Sequence, residues 1–366
     1  MRLLTAMNEC RPERSASILG AGGFIGSHLC EFLLDRGWDI DAWDLDSHRL
    51  ESLLDRTDFR FHLGDLRSSK ERHASTSASV VINLAALCQP AQYVSNPRRT
   101  IEDNYDLSRG IALACLESGA RLLQFSTCEV YGRTLASFLP PLSEPTPDQW
   151  ILREDETPLI LEPSDVHRWS YACAKQLTER YLLALAKEDG LAVTIVRPFN
   201  FIGPWMDFLP GRDGTGTPRV LASFLAHLLD DSPLPLVDAG RNFRTFCSIH
   251  DALRAIEAML ERPSVCEGQI FNVGNPANER DIRSFAEELK RSFARVTGTS
   301  AWLEHPVCEV SAQEFYGQGY GDSDRRVPCI DKAQQLLDWR PRVGLNDALD
   351  EISAWALQHY SMTRMQ

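Results

Sequence analysis

The feature that most limits what this chain can fold into is a glycine-rich turn near its start. Ala16 to Leu19 reads as a short apolar strand, followed by Gly20-Ala21-Gly22-Gly23-Phe24-Ile25-Gly26. Ser27 to Gly37 then carries apolar residues at helical spacing and closes on a glycine. Strand, glycine turn and helix in this order suit a diphosphate. The glycines let backbone approach it, and the helix N-terminus offers free N–H groups and a positive dipole end. As a bare pattern the glycines would serve any tight turn, so the flanking residues matter. A second strand, about Asp39 to Trp43, runs into Asp44, 24 residues beyond Gly20. A carboxylate there can accept from an adenosine ribose 2′-hydroxyl and repel a 2′-phosphate. This favours NAD over NADP, with Asp46 and Arg49 near enough to keep the other cofactor open.

Further strand and helix units follow. Phe59 to Leu63 leads into Gly64-Asp65-Leu66, where Asp65 suits either an adenine amino group or a helix cap. Val80 to Ala86 is a continuous apolar run suited to a strand buried on both faces, and Leu122 to Ser126 is another. Strands alternating with helices imply an α/β fold: a Rossmann-type doubly wound parallel sheet, with a smaller α/β substrate-binding domain. We expect a disordered tail over 1–15 and an NAD-binding domain over 16–200. Residues 201–360, with short strands such as Ile270 to Gly274, are expected to be predominantly substrate-binding and interleaved with the first domain. Pro140 to Pro163, rich in proline and acidic residues, reads as a long loop able to cover a site.

Composition removes several classes. A net charge of −13 over 366 residues opposes a general nucleic-acid binder, although a few arginines and backbone N–H groups can still hold a diphosphate. No stretch reaches the roughly 18–20 uninterrupted apolar residues of a membrane span, and charged residues interrupt the first 14 positions. The ten cysteines form no CxxC pair and the nine histidines no HExxH, so no metal site is expected. Cysteines such as Cys30 and Cys115 read as small core residues of a reduced, cytoplasmic protein.

The candidate chemistry lies in two segments. Ser126-Thr127-Cys128-Glu129-Val130-Tyr131-Gly132 closes a strand, where open α/β sheets place reacting groups. Arg168-Trp169-Ser170-Tyr171-Ala172-Cys173-Ala174-Lys175 puts Tyr171 and Lys175 one helical turn apart. An ammonium beside a phenol favours the phenolate, which can then act as a base, and the lysine can also hold a ribose.

Together these segments resemble the extended short-chain dehydrogenase/reductase family of sugar-nucleotide epimerases and dehydratases, from about residue 16 to 356. Within it, Asn83 to Cys88, Ser126 to Gly132, Arg168 to Gln176, Arg197 to Asn200, Pro218 to Ala222 and Phe315 to Arg326 are similar to the UDP-apiose/UDP-xylose synthases. The same stretches match the UDP-glucuronate decarboxylases of aminoarabinose synthesis less tightly. The resemblance implies that NAD oxidises C4 of UDP-glucuronate, that carbon dioxide leaves, and that ring contraction and re-reduction give UDP-apiose and UDP-xylose. It implies Thr127, Cys128, Glu129, Tyr171, Lys175, Cys88 and Arg326 as catalytic residues. Gly20, Gly23, Phe24, Ile25, Gly26, Asp44, Asp65, Leu66, Leu84, Ala85 and Ala86 would hold the cofactor together with Tyr171 and Lys175. Arg168, Asn200, Arg219, Arg244, Tyr320 and Arg326 would hold the substrate. Cys88 and Cys128 match paired cysteines of the apiose branch. Pro235 stands where the family usually has lysine, removing a contact near the nucleotide. A homodimer through the helices beginning near Ile101 and Tyr171 is implied as well. Three alternatives stay open: release of UDP-xylose or a 4-keto pentose alone, the same chemistry on another nucleotide sugar, and a non-catalytic NAD-binding regulator.

Overall fold

A computed structural model of the protein describes residues 14–88, 93, 95–139, 145–161, 166–214, 216–316 and 325–360. Most of the expected tail, part of the proline-rich loop, and Tyr320 lie outside these residues, as does the side chain of Arg168.

Seven strands make the central sheet: β1 (Ser15–Leu19), β2 (Asp39–Asp44), β3 (Phe59–Leu63), β4 (Val80–Asn83), β5 (Arg121–Phe125), β7 (Val193–Pro198) and β12 (Ile270–Val273). Their order is β12-β7-β5-β4-β1-β2-β3 and every pairing is parallel. The winding reverses between β1 and β4, which opens a crevice at the C-terminal ends of these strands. Helices α1 (Phe24–Leu34), α2 (Ser69–Ala74), α3 (Pro97–Ser118) and α4 (Val166–Asp189) supply the first crossovers.

Alternation along the strands divides the core in two. Val80, Ile82, Leu123 and Phe125 pack with α1 and the 249–261 helix. Val81, Leu122, Val193 and Ile195 point the other way, toward α3 and α4. A third core joins helices 220–229, 282–297 and 345–359 over the substrate side.

Two details differ from the sequence reading. The first strand begins at Ser15, inside the expected tail. The Ile270–Val273 strand, expected in the smaller domain, adds to the edge of the central sheet beside β7. An apolar run states that a strand is buried, but not against which neighbour.

The smaller sheet has the order β13-β10-β15-β6, from β6 (Ile151–Leu152), β10 (Phe243–Thr245), β13 (Glu279–Asp281) and β15 (Arg325–Pro328). Two short ribbons complete the fold, β8 (Phe201–Ile202) with β11 (Cys247–Ser248) and β9 (Leu234–Val237) with β14 (Val307–Val310). Asp251, fully buried in the 249–261 helix, accepts from Arg342 N and Val343 N at 2.7 and 2.9 Å and so fastens the C-terminal segment to the central sheet.

Candidate active site

At the crevice the main chain itself shapes the cofactor cradle. Gly20 has φ +81°, and a Cβ there would lie 2.8 Å from Ala85 N, so both backbone conformation and the closeness of β4 require glycine. A Cβ on Gly26 would stand 2.3 Å from the Gly20 carbonyl. These two positions let α1 press against the turn. Its N-cap residue, Gly23, provides no side-chain cap, leaving the helix's first N–H groups directed at the cradle. Asp44 ends β2 and accepts from Gly22 N at 2.8 Å and Leu45 N at 2.6 Å. Burial raises its pKa while these hydrogen bonds act against the rise. The cradle fits a dinucleotide: glycine is sterically obligatory there, and a carboxylate is fixed beside it. Arg49 turns aside toward the Trp205 ring, 5.8 Å away, and toward Asp213, Asp207 and Asp46, so its charge is shared with acidic neighbours.

Leu84 N donates to Leu19 O, and Ala85 N to Asn83 Oδ1, fixing the β4 end against the turn. Leu66 is buried behind the cradle. Asp65 makes a bidentate pair with Arg67, closest at 2.6 Å, and accepts Arg67 N. It therefore closes a local turn, while Ser68 stands at the N-cap of α2.

The candidate reacting groups meet over the end of β5. Thr127 is the N-cap of a short 3-10 turn over Cys128–Tyr131, and its Oγ1 accepts Glu129 N at 3.1 Å. That bond fixes the backbone at Glu129, and its side chain reaches across to Arg326, whose Nη1 is 3.8 Å from Glu129 Oε1. Lys175, 2% exposed, donates to Phe125 O at 3.2 Å and sits 5.8 Å from the Tyr171 ring centre. Burial lowers the Lys175 pKa to about 8, with Cys88 and Glu179 acting in the opposite sense. Burial pushes the Tyr171 phenol well above its usual value. Cys88, Glu129 and Cys128 add to that rise and Arg219 opposes it, so all four lie within electrostatic reach of the phenol. Phenolate formation thus calls for more positive charge than the tyrosine–lysine spacing alone implies.

Cys88 is exposed and Cys128 buried. Arg219, at the mouth, holds Asp207 through Nε at 3.0 Å. Arg244 and Arg326 are register partners on the parallel strands β10 and β15, so both buried guanidinium groups leave the small sheet on one face. Asn200 has φ +37°, and its Nδ2 donates to Thr245 O at 2.8 Å, making it a brace to β10 instead of an open donor. Pro235 is buried in β9 opposite Cys308, on a two-stranded ribbon where the missing N–H is tolerated.

Tyr93 was not legible as a site residue. Its buried ring lies parallel to that of Tyr171, 4.7 Å between centres and 3° between planes, so it covers one face of that phenol. Its position five residues beyond Cys88 is the sole signal in the sequence.

With this geometry in view, comparisons with known proteins are specific. The signature of the NAD dependent epimerase/dehydratase family matches residues 16–274. A UDP-D-apiose/UDP-D-xylose synthase of Oryza sativa is 45% identical over 346 residues, covering 91% of this chain and 86% of its own length. UDP-D-apiose/UDP-D-xylose synthase 1 of Arabidopsis thaliana is 44% identical, covering 94% and 91% respectively. Among solved structures, the PbgP3 protein of Burkholderia pseudomallei superposes with a TM-score of 0.79 at 30% identity, over 94% of this chain and 97% of that one. The Bacillus cereus UDP-glucuronic acid 4-epimerase in complex with UDP-glucuronic acid and NAD shares the fold, with a TM-score of 0.75 at 22% identity, over 94% and 100%.

Proposed function

Because the chain belongs to the NAD-dependent epimerase/dehydratase family, we propose that it decarboxylates UDP-glucuronate and contracts the sugar ring, releasing UDP-apiose and UDP-xylose. One observation carries this reading within the family: Arg326 and Glu129 face each other at 3.8 Å, beside a tyrosine pocket that Cys88 and Cys128 both influence. The names of the rice and Arabidopsis relatives point to the same activity.

The residues divide the work as follows. The turn at Gly20 to Gly26, Asp44, Asp65, Leu66 and the Leu84 to Ala86 segment hold NAD, which when bound supplies the acceptor and later the donor of the C4 hydride. Tyr171 takes the C4 hydroxyl proton. Its raised pKa makes this base depend on cationic neighbours, and Lys175 and Arg219 provide them. A ketone at C4 stands β to the C6 carboxylate, so the C5–C6 bond can break, carbon dioxide leaving while the bond's electron pair stays on the sugar as an enolate spread onto the C4 oxygen. Arg326 orients the carboxylate, and Glu129 exchanges the proton at the carbon left behind. Retro-aldol cleavage between C2 and C3, followed by re-aldol closure, contracts the ring, with Cys88 and Cys128 positioning the intermediate or moving its protons. Arg168, Arg219, Arg244 and Tyr320 serve the diphosphate and sugar, while Asn200 braces β10, which carries Arg244. Two copies associate through α3 and α4, whose outer faces expose Ile101 and Leu177. Buried free thiols such as Cys30 and Cys115 suit a reducing cytoplasm.

Incubation with UDP-glucuronate and NAD, with released carbon dioxide and the sugar products followed by NMR, tests the reading. Turnover to both pentose products is expected. No carbon dioxide would sink the substrate assignment. UDP-xylose alone, unchanged in Cys88→Ser and Cys128→Ser variants, would remove the ring contraction.

A further inference from the structure

We propose that Glu179 and Arg197 are a positioning pair for the reaction centre, holding the β5 end that carries Thr127, the helix that carries Tyr171 and Lys175, and the strand that carries Arg326 in one register. The inference deepens the site assignment above and rests on it. Glu179 lies one turn beyond Lys175 and two beyond Tyr171 on the same face of α4. Its carboxylate accepts Ser126 Oγ at 2.5 Å, Arg197 Nε at 3.0 Å and Arg197 Nη2 at 2.6 Å. Ser126 is the residue before Thr127, so one carboxylate ties the catalytic helix to the catalytic strand end.

Arg197, on β7, carries the connection onward. Its Nη1 donates to Glu154 O at 3.4 Å, and its guanidinium lies 4.7 Å from the centre of the Tyr131 ring. The Tyr131 hydroxyl donates to Asn272 Oδ1 at 2.9 Å. Asn272 N donates to the Glu154 carboxylate at 2.8 Å, and Asn272 Nδ2 to Leu152 O at 2.8 Å and Cys329 O at 3.3 Å. Leu152 and Cys329 border the β6–β15 pairing, and β15 presents Arg326. The network therefore spans both sheets beneath the chemistry.

Stability alone is a poor reason for such a pair. The two side chains are 3% and 4% exposed, and replacing a buried ion pair by well-packed apolar groups is commonly neutral or stabilising. What apolar groups cannot do is fix hydrogen-bond directions at Ser126 and Glu154 together. The pair also sets the charge beneath Lys175. Among the described residues the titratable and charged groups around that ammonium are Tyr171 and Glu179 on its own helix, Cys88 after β4 and, beyond Glu179, Arg197. Glu179 and Cys88 support the charged form against burial.

Three variants test the pair, Glu179→Gln, Arg197→Lys and the double change Glu179→Leu with Arg197→Met, alongside the wild type. Two readouts are taken: turnover of UDP-glucuronate, and titration of Lys175 by NMR of protein labelled with [ε-13C]lysine, which holds five lysines. In Glu179→Gln, kcat is expected to fall about 10- to 100-fold with KM changed less than about twofold, and the Lys175 midpoint to move below 8. Arg197→Lys keeps the charge but loses the fork. It should hold the Lys175 midpoint near that of the wild type and recover part of kcat. The double variant removes both buried charges, and is expected to fold and bind NAD while staying about 10-fold or more down in kcat. Wild-type kcat in the double variant, or an unmoved Lys175 midpoint in Glu179→Gln, would overturn the proposal. If the wild type releases no carbon dioxide from UDP-glucuronate, the substrate reading fails by itself, and the Lys175 titration alone decides the pair.

Discussion

The two halves of the proposed site would recognise their ligands by different means. On the dinucleotide side the proposed contacts are mostly main-chain atoms, from the 20–26 turn and the 84–86 segment, with the Asp44 and Asp65 carboxylates beside them, and closeness of backbone to backbone does the shaping. On the sugar side the parts are side chains gathered from β5, β10, β15 and α4, and their geometry depends on hydrogen bonds between distant segments. A backbone cradle tolerates no added atom but asks little of side-chain direction. A side-chain site tolerates variation in bulk but requires each group to be aimed.

That contrast can be broken by experiment. The largest effect is expected from Gly26→Val, whose Cβ collides with the Gly20 carbonyl. NAD affinity should fall at least ~100-fold, or about 2.7 kcal/mol, with turnover lost alongside it. Isothermal titration with NAD measures this, and retained binding would show the cradle to be softer than its contacts imply. Arg326→Ala should split the halves in the other direction. Its kcat is expected to drop on the order of 100-fold with NAD binding unchanged, and a parallel loss of NAD would mean the halves are not separable.

Lys175 sharpens the comparison through stability. Burial holds its folded pKa at about 8, against 10.5 for an ordinary lysine. Protonated Lys175 therefore opposes folding below pH 8, and the cost fades as pH rises from 8 to 10.5. Lys175→Met should accordingly abolish turnover yet stabilise the protein at pH 7, by up to about 3 kcal/mol. The gain should shrink above pH 8. Denaturant melts at pH 7 and pH 10 decide it, and a destabilised variant at pH 7 would refute the assigned cost. The smallest effect is expected for Asp44→Asn, which removes the charge set against a 2′-phosphate. The preference for NAD over NADP should narrow about tenfold, read from competition binding.

Legibility in the sequence follows the same division. The glycine turn and Asp44 could be read because they lie within one short strand–helix–strand stretch whose conformations are locally determined, whereas their approach to Ala85 is made across the sheet. Tyr171 and Lys175 could be read because helical spacing places them together. Arg326 was reached only through family resemblance, since its neighbours Glu129 and Arg244 meet it through pairings across the fold. Asn200 was identified as a residue of interest, but the direction of its amide, toward Thr245, is set by β10 and not by its own motif. Tyr93 escaped because an aromatic residue after a cysteine has no spacing rule. The rise in the Tyr171 pKa was missed for a physical reason. Spacing reveals a charged neighbour but not the desolvation that outweighs it.

One feature of the small sheet bears on how the protein comes into being. Among the described residues β6 pairs only with β15, a strand nearly half the chain further on, while β1 to β5 and their helices need only each other to begin a sheet. During synthesis the nucleotide cradle has all its parts long before Arg326 has left the ribosome. Arg326 is the last of the proposed site residues to be made, so a chain that ends before β15 would carry the cradle residues without the guanidinium that faces Glu129.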